Sequence, residues 1–331
     1  MTAPALAAVT PSPESHPHDS RLPIPERLPA DELRALSLLQ PWRALGAVAA
    51  EWLAIAGAIA LCQRFWHPLL YVPVVMFIAA RQHALQIIGH DATHYRFLPS
   101  RFWNELLGNL LLMWPLFITV QGFRLFHGPH HQHTGTESDA NRQLWRTHDA
   151  AGNLVPEWLY PKTPAGLARV LLRRGFLLTG LRWILRGLLA PLRVKERPWL
   201  LVLRLAFMAG AAALLTWAQA WRGFLMYWVV PYCTWHIAIQ YVRLICEHSA
   251  IHGSTEDYRL TRTTIPTLLE SLFILPRNVG YHLEHHWYPS VPFYRLPELH
   301  ARLLQEPSFR AHANIHRSVR SALAECVRPQ A

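Results

Sequence analysis

His282-Leu283-Glu284-His285-His286, near the far end of the chain, repeats a pattern already present as His127-Gly128-Pro129-His130-His131, and both echo the simpler His90-Asp91-Ala92-Thr93-His94. On a helix, positions i and i+4, or i, i+3 and i+4, leave from one face, so each cluster aims its imidazoles at a common point. Imidazoles at such spacing form a metal-ligand arrangement. For a chain with 20 histidines in 331 residues, chance supplies only about 0.07 HxxHH patterns. Two of them beside an HxxxH therefore outweigh a reading as ordinary buried histidines.

Eight box histidines exceed the six positions of one octahedral ion, so two metals are expected. Iron is favoured over zinc: position 91 is Asp where a zincin helix needs Glu after its first His, and no HxxEH run occurs. The Glu and Glu-x-x-His ligands of carboxylate di-iron bundles are missing too. A ninth ligand is expected at His248, just past the last long apolar run, with His252 one turn further as the competing choice. His133 turns off the ligand face of the second box. Asp91, Glu247 and Glu284 are placed to accept the outer N–H of ligand imidazoles and so fix their tautomers.

Working outward, the composition is 51% hydrophobic and only 16% charged, which excludes a disordered or fibrous protein. Four segments, 44–62, 68–88, 199–218 and 224–242, approach the ~20 residues that the apolar core of a bilayer requires. Short connections around Arg64 and His67, and around Arg222, make each pair an antiparallel hairpin that returns to its own side. Residues 162–198 carry nine Lys/Arg against one acid, which puts that side, both termini and the boxes in the cytoplasm, with the protein in the cytoplasmic (inner) membrane. Arg169, Arg173, Arg174, Arg182 and Arg186 interrupt Leu-rich sequence there, as in helices lying in the interface against anionic lipid headgroups. Residues 106–120 cover ~22 Å of helix. They should dip and return, because a crossing would place His94 and His127 on opposite faces.

The net charge of +11 concentrates beside apolar segments and not on an aromatic groove, so nucleic acid is not an expected partner. Four cysteines without a CxxC exclude a zinc ribbon, an iron–sulfur site or a disulfide framework. Residues 1–40, with seven prolines, read as a disordered tail without a signal peptide, 41–310 as the membrane domain, and 311–331 as a C-terminal cytosolic tail. Within the spans, Glu51 reads as a snorkelling residue near a helix end and His236 as a functional suspect. Trp114, Trp228 and Trp235 read as an interfacial aromatic belt, with a tunnel lining as the alternative.

HxxxH, HxxHH and HxxHH in that order, with a long hydrophobic interval before the third, resembles the integral-membrane fatty acid desaturase family over roughly residues 45–305. Gly89, His131-Gln132-His133-Thr134 with Asp139, Thr261-Arg262-Thr263-Thr264, Asn278 and the run Pro289 to His300 are similar to family sequences. The resemblance implies an all-α polytopic membrane protein, four transmembrane helices in two hairpins under a helical cytosolic cap that carries the boxes. It further implies a di-iron centre that uses O₂ to take hydrogen from an unactivated alkyl chain, and it adds Asn278 to the residues expected around the ligands. The first box, with three intervening residues and an acid, looks more like acyl-lipid desaturases and carotenoid hydroxylases or ketolases than acyl-CoA desaturases. The expected activity is thus desaturation of a lipid acyl chain, with a carotenoid or lipid hydroxylase or ketolase as the alternative. A His-rich membrane metal transporter is disfavoured, since its ligands should lie near the bilayer midplane in broken helices. No HPGG haem motif occurs, so electrons should come from a separate donor of ferredoxin or cytochrome type.

Single-cysteine reporters near residues 20, 150 and 310 should label from the cytoplasm, and reporters at 66 and 221 from the opposite face. Reporters at 98 and 125 on different faces would overturn the shared-site topology.

Overall fold

Three long helices begin on a proline, at the position where a missing N–H costs nothing and φ is already helical: α2 (Pro41–Arg64), α3 (Pro68–Thr93) and α8 (Pro198–Trp217). They belong to a computed structural model that describes residues 27–134, 138–140, 163–189, 197–249, 251 and 260–327. Among the described residues, only α1 (Ala30–Leu36) precedes them. Continuous with α1 in Ala30–Arg64, α2 joins α3 and α8 as the three helices among the described residues that are long and apolar enough to cross a membrane. A fourth is obtained if the bent pair Arg101–Leu116 and Val120–His133 counts as one span. The run 224–242, expected as a span, is helical throughout but falls outside this set. It faces inward, so Thr234, His236 and Gln240 replace the apolar surface that lipid would demand.

α3 is the central element, with 78% of its most apolar window buried, against 28% for the window in Ala30–Arg64 and 11% for that of α8. Around it pack α2, α5 (Val120–His133) and the helical path from Trp221 that ends in α9 (Ile237–His248). Two π segments, Leu225–Val229 and Tyr232–His236, flank Pro231 in that path. A proline inside a helix removes one ladder bond and crowds the preceding turn, and a wider turn relieves both.

Between α4 (Arg101–Gly108) and α5, a π turn and a 3₁₀ turn lead to Phe117, whose positive φ of 62° reverses the path, and the two arms meet at 87°. The expected interruption of 106–120 thus occurs. Where one or two helices were expected in 162–198, there are two, α6 (Pro164–Arg174) and α7 (Leu177–Leu188). α7 closes on the rest through glycines seven residues apart: a Cβ at Gly187 would overlap the Phe117 carbonyl, and one at Gly180 the backbone of Cys233.

The remaining described residues form a cap of short helices, α10 (Leu268–Phe273), α11 (His282–Trp287), α12 (Leu296–Leu303), α13 (Pro307–His312) and α14 (Val319–Cys326). A single parallel pair, β1 (Thr263–Thr264) with β2 (Ile315–His316), is the exception to an all-α description. Parts of both terminal segments pack against the rest. Leu28 and Leu36 are buried against Trp287 and Leu299, and the Leu28 N–H donates to the Tyr288 hydroxyl at 3.0 Å. At the other end α14 is packed in, because the fully buried Arg262 guanidinium needs Glu325, 2.6 Å away. Residues 1–26 and 328–331 of those tails lie outside the described residues.

Glu51 does not snorkel. It is 1% exposed and lies between two arginines, 3.2 Å from Arg81 Nη1 and 2.5 Å from Arg277 Nε. Arg81 also donates to the Leu272 carbonyl at 2.7 Å, and Arg277 to that of Ala47 at 3.1 Å. The triad therefore bolts α2 and α3 to the cap. Trp114 and Trp228 are core residues and not a belt: Trp228 stacks on Trp52 with centroids 5.3 Å apart and donates to the Pro115 carbonyl.

Removing one partner of such a group leaves buried charge uncompensated. Glu51→Ala should destabilise the detergent-solubilised protein by ~3–5 kcal/mol, read as a lowered midpoint of thermal unfolding, with Glu51→Gln losing less.

Candidate metal centre

The last turn of α3 carries His90, and His94 caps it. α5 carries the second box, α11 the third, and His248 ends α9. Although 188 positions separate His94 from His282, their side chains converge in two sets. His90, His94, His127, His131 and His285 form the first, and His130, His248, His282 and His286 the second, with the ligand atoms of each set within 4.8 Å of one another. Helical spacing explains the partition. His127 and His131 are one turn apart and share a side while His130 points to the other, and His282 and His286 share a side while His285 points away. The second and third boxes thus serve both sets.

Where rings of one set meet, Nε2 faces Nε2. The separations are 2.7 Å for His90 and His127, 2.8 Å for His127 and His131, and 3.0 Å for His131 and His285. In the second set they are 2.9 Å for His248 and His282 and 3.0 Å for His282 and His286. Nitrogens bound to one ion at ~2.0–2.1 Å stand ~3 Å apart when adjacent. Shared protons could satisfy an isolated pair, but not four or five converging lone pairs. The Nε2 atoms of His94 and His130 are moreover buried without a hydrogen-bond partner among the described residues. A cation in each set is what these nitrogens fit.

The electrostatics agree. Burial first, and neighbouring imidazoles second, hold His282, His285 and His286 well below the usual histidine range, and burial brings His94 down to about 4. These four rings are therefore neutral at physiological pH, which a metal ligand must be.

The outer nitrogens find partners on the protein. His130 Nδ1 is 2.9 Å from Asp139 Oδ1, both fully buried. His282 Nδ1 is 3.4 Å from Glu247, which Arg243 also holds at 2.5 Å. His248 Nδ1 faces the Leu260 carbonyl at 3.2 Å, and His286 Nδ1 the Thr134 hydroxyl at 3.3 Å. Of the residues expected around the ligands, only Glu247 meets one. Asp91 is 3.8 Å from His90 Nδ1, too far for a hydrogen bond, and instead accepts from the Phe293 N–H at 2.8 Å. Asn278 donates to the carbonyl of the same Phe293. Glu284 accepts from Thr263 and faces His300, tying α11 to β1 and α12. Asp139 was missed as a partner because its nine-residue offset from His130 belongs to no local periodicity. His133 is exposed and belongs to neither set, and His252 lies outside the described residues.

A cavity of about 310 Å³ opens beside both sets, touching His127, His130 and His282. Phe117, Phe123, Phe126 and Trp183 supply an apolar wall, with α7 as its cover. Trp114, Trp228 and Trp235 do not line it. The surface it presents beside the imidazole cluster is mostly apolar.

Comparison with known proteins agrees with this geometry. Residues 64–317 match the model of the family described as fatty acid desaturase. The chain is 30% identical over 297 residues to the dihydrorhizobitoxine desaturase of Bradyrhizobium elkanii, covering 83% of this chain and 80% of the relative. It is 25% identical to a beta-carotene ketolase of Paracoccus sp., over 82% and 94% of the two chains. It is 24% identical to an enzyme of Nostoc sp. named sn-1 acyl-lipid omega-3 desaturase (ferredoxin), over 64% and 61%. With three histidine boxes folded into two facing sets and a family match over most of its length, the chain belongs to the fatty acid desaturase family and is a membrane oxidoreductase of the desaturase type.

Proposed function

We propose that the protein is an O₂-dependent di-iron enzyme that introduces a C=C bond into an alkyl segment of a membrane lipid. The observation that carries this reading is the convergence of nine imidazoles into two sets beside one apolar cavity. His90, His94, His127, His131 and His285 would hold one iron, and His130, His248, His282 and His286 the other. When bound, the iron pair supplies the O₂ activation that removal of hydrogen from an unactivated C–H bond requires. The chain's own residues do the rest. Asp139 and Glu247 orient His130 and His282 and make them better donors. The aromatic wall holds the alkyl segment in place and excludes water from the reacting centre.

The chain leaves the cluster at His94 and re-enters it at His127 through the bent pair. That path supports a re-entrant segment, and with the helical path from Trp221 to His248 taken as the fourth crossing the two hairpins leave the centre on the cytoplasmic face of the inner membrane. α6 and α7 expose Leu172, Leu178 and Leu185 next to their arginines, which supports their lying in the interface against anionic headgroups. The electron donor is a separate protein of ferredoxin or cytochrome type, in line with the name of the Nostoc relative. The ketolase relative, matched over 94% of its length, favours oxygenation of a carotenoid or other lipid as the second reading.

Expression in a host of known lipid composition, followed by mass spectrometry of fatty acids and carotenoids, tests the proposal. A new double bond supports desaturation, and added oxygen selects the second reading. Purified without added metal, the active protein should hold close to two irons per chain, and stoichiometric zinc in a fully active preparation would refute it. His248→Ala should lose iron and product, whereas His133→Ala keeps both. Asp139→Ala should weaken iron binding by ~10–100-fold in a chelator competition.

A further inference from the structure

The cavity has a second wall unlike the first. Gln86 of α3 and Gln240 of α9 line it with their carboxamides, Gln240 Nε2 standing 2.5 Å from Gln86 Oε1. Gln86 precedes His90 by one turn on the same helix face, ~6 Å along the axis. Gln240 precedes His248 on α9 and also lies 3.3 Å from His236 Nε2. Gln240 has its two N–H groups on Gln86 and His236, which leaves its carbonyl oxygen, and an N–H of Gln86, able to bind something else. Next along α9, Arg243 and Glu247 line the same wall as an ion pair at 2.5 Å.

A plain methylene chain makes no use of such a wall, and it would strip water from two amides without replacing the hydrogen bonds. A charged substrate group would have to compete with the Arg243–Glu247 ion pair. We infer that Gln86 and Gln240 are specificity-determining residues that bind a neutral oxygen function of the substrate, a carbonyl or a hydroxyl, within a few bonds of the carbon that is oxidised. The preferred substrate is then an oxygenated alkyl chain and not an unsubstituted one. This rests on the cavity being the substrate site, as proposed above.

Host cells expressing the protein are fed palmitic acid mixed with one of a series of oxopalmitic acids in which the ketone is walked along the chain. The ratio of oxidised product to incorporated substrate is read by mass spectrometry. At least one oxo isomer should be oxidised at least about tenfold more efficiently than palmitate, because a site built to hydrogen-bond a substrate discriminates strongly against the analogue that lacks the group. Gln86→Met with Gln240→Met should cut that preference at least about tenfold while the purified variant still holds two irons. Gln240→Met alone, further from any box histidine, gives the same readout with less disturbance of α3. Palmitate oxidised as well as every oxo isomer, or a preference that survives in iron-replete variants, overturns the assignment and leaves the desaturase reading standing. No product from any member with iron-replete protein overturns both.

Discussion

Nine imidazole nitrogens aimed at two points define the constraint on which the molecule is built. Lone pairs at 2.7–3.0 Å repel unless a proton or a cation lies between them, and protons cannot serve sets of four and five. The rings must therefore be neutral, dry and held from outside. Burial meets the first two needs, since the charged form is penalised wherever water is excluded. The third need is met by partners on the far side of the rings, Asp139, Glu247, Thr134 and the Leu260 carbonyl, drawn from four separate stretches of chain.

Holding rings that converge from α3, α5, α9 and α11 demands a rigid frame, and the remaining buried polar groups provide it. Asp91 and Asn278 grip the backbone of Phe293 from opposite ends of the fold. Glu284 ties the third-box helix to its neighbours, and Glu51 locks α2 and α3 to the cap between two arginines. An acid beside a ligand histidine in sequence is thus as well suited to fastening the frame as to tuning the ligand. What decides is which way the helix turns it.

The same economy of faces shapes the apolar parts. α8 exposes Val202, Leu205, Leu214 and Trp217, as a helix in contact with lipid does, whereas the path from Trp221 to His248 turns polar side chains inward and borders the cavity. At Phe117 and at Cys233 in the second π segment the irregular backbone lies against the α7 glycines Gly187 and Gly180. This is the arrangement a bilayer permits, because unsatisfied backbone in hydrocarbon is costly.

Although local periodicity gave each box a single aim, which the second and third boxes do not keep, it was enough to find the three boxes and to mark the long apolar helices and the broken segment 106–120. All of these depend on contacts within a turn or two of helix, or on composition over one span. The division of the boxes into sets of five and four was settled by tertiary structure alone, as were the pairing of Asp139 with His130, the burial of Glu51 and the two-faced cavity. Each of these joins residues on different elements, whose meeting depends on how helices cross and rotate against one another. A residue's neighbours along the chain carry no record of that rotation, so Asp91 and Glu284 looked like partners of the ligands, and Asp139 became one only when α5 was packed in place.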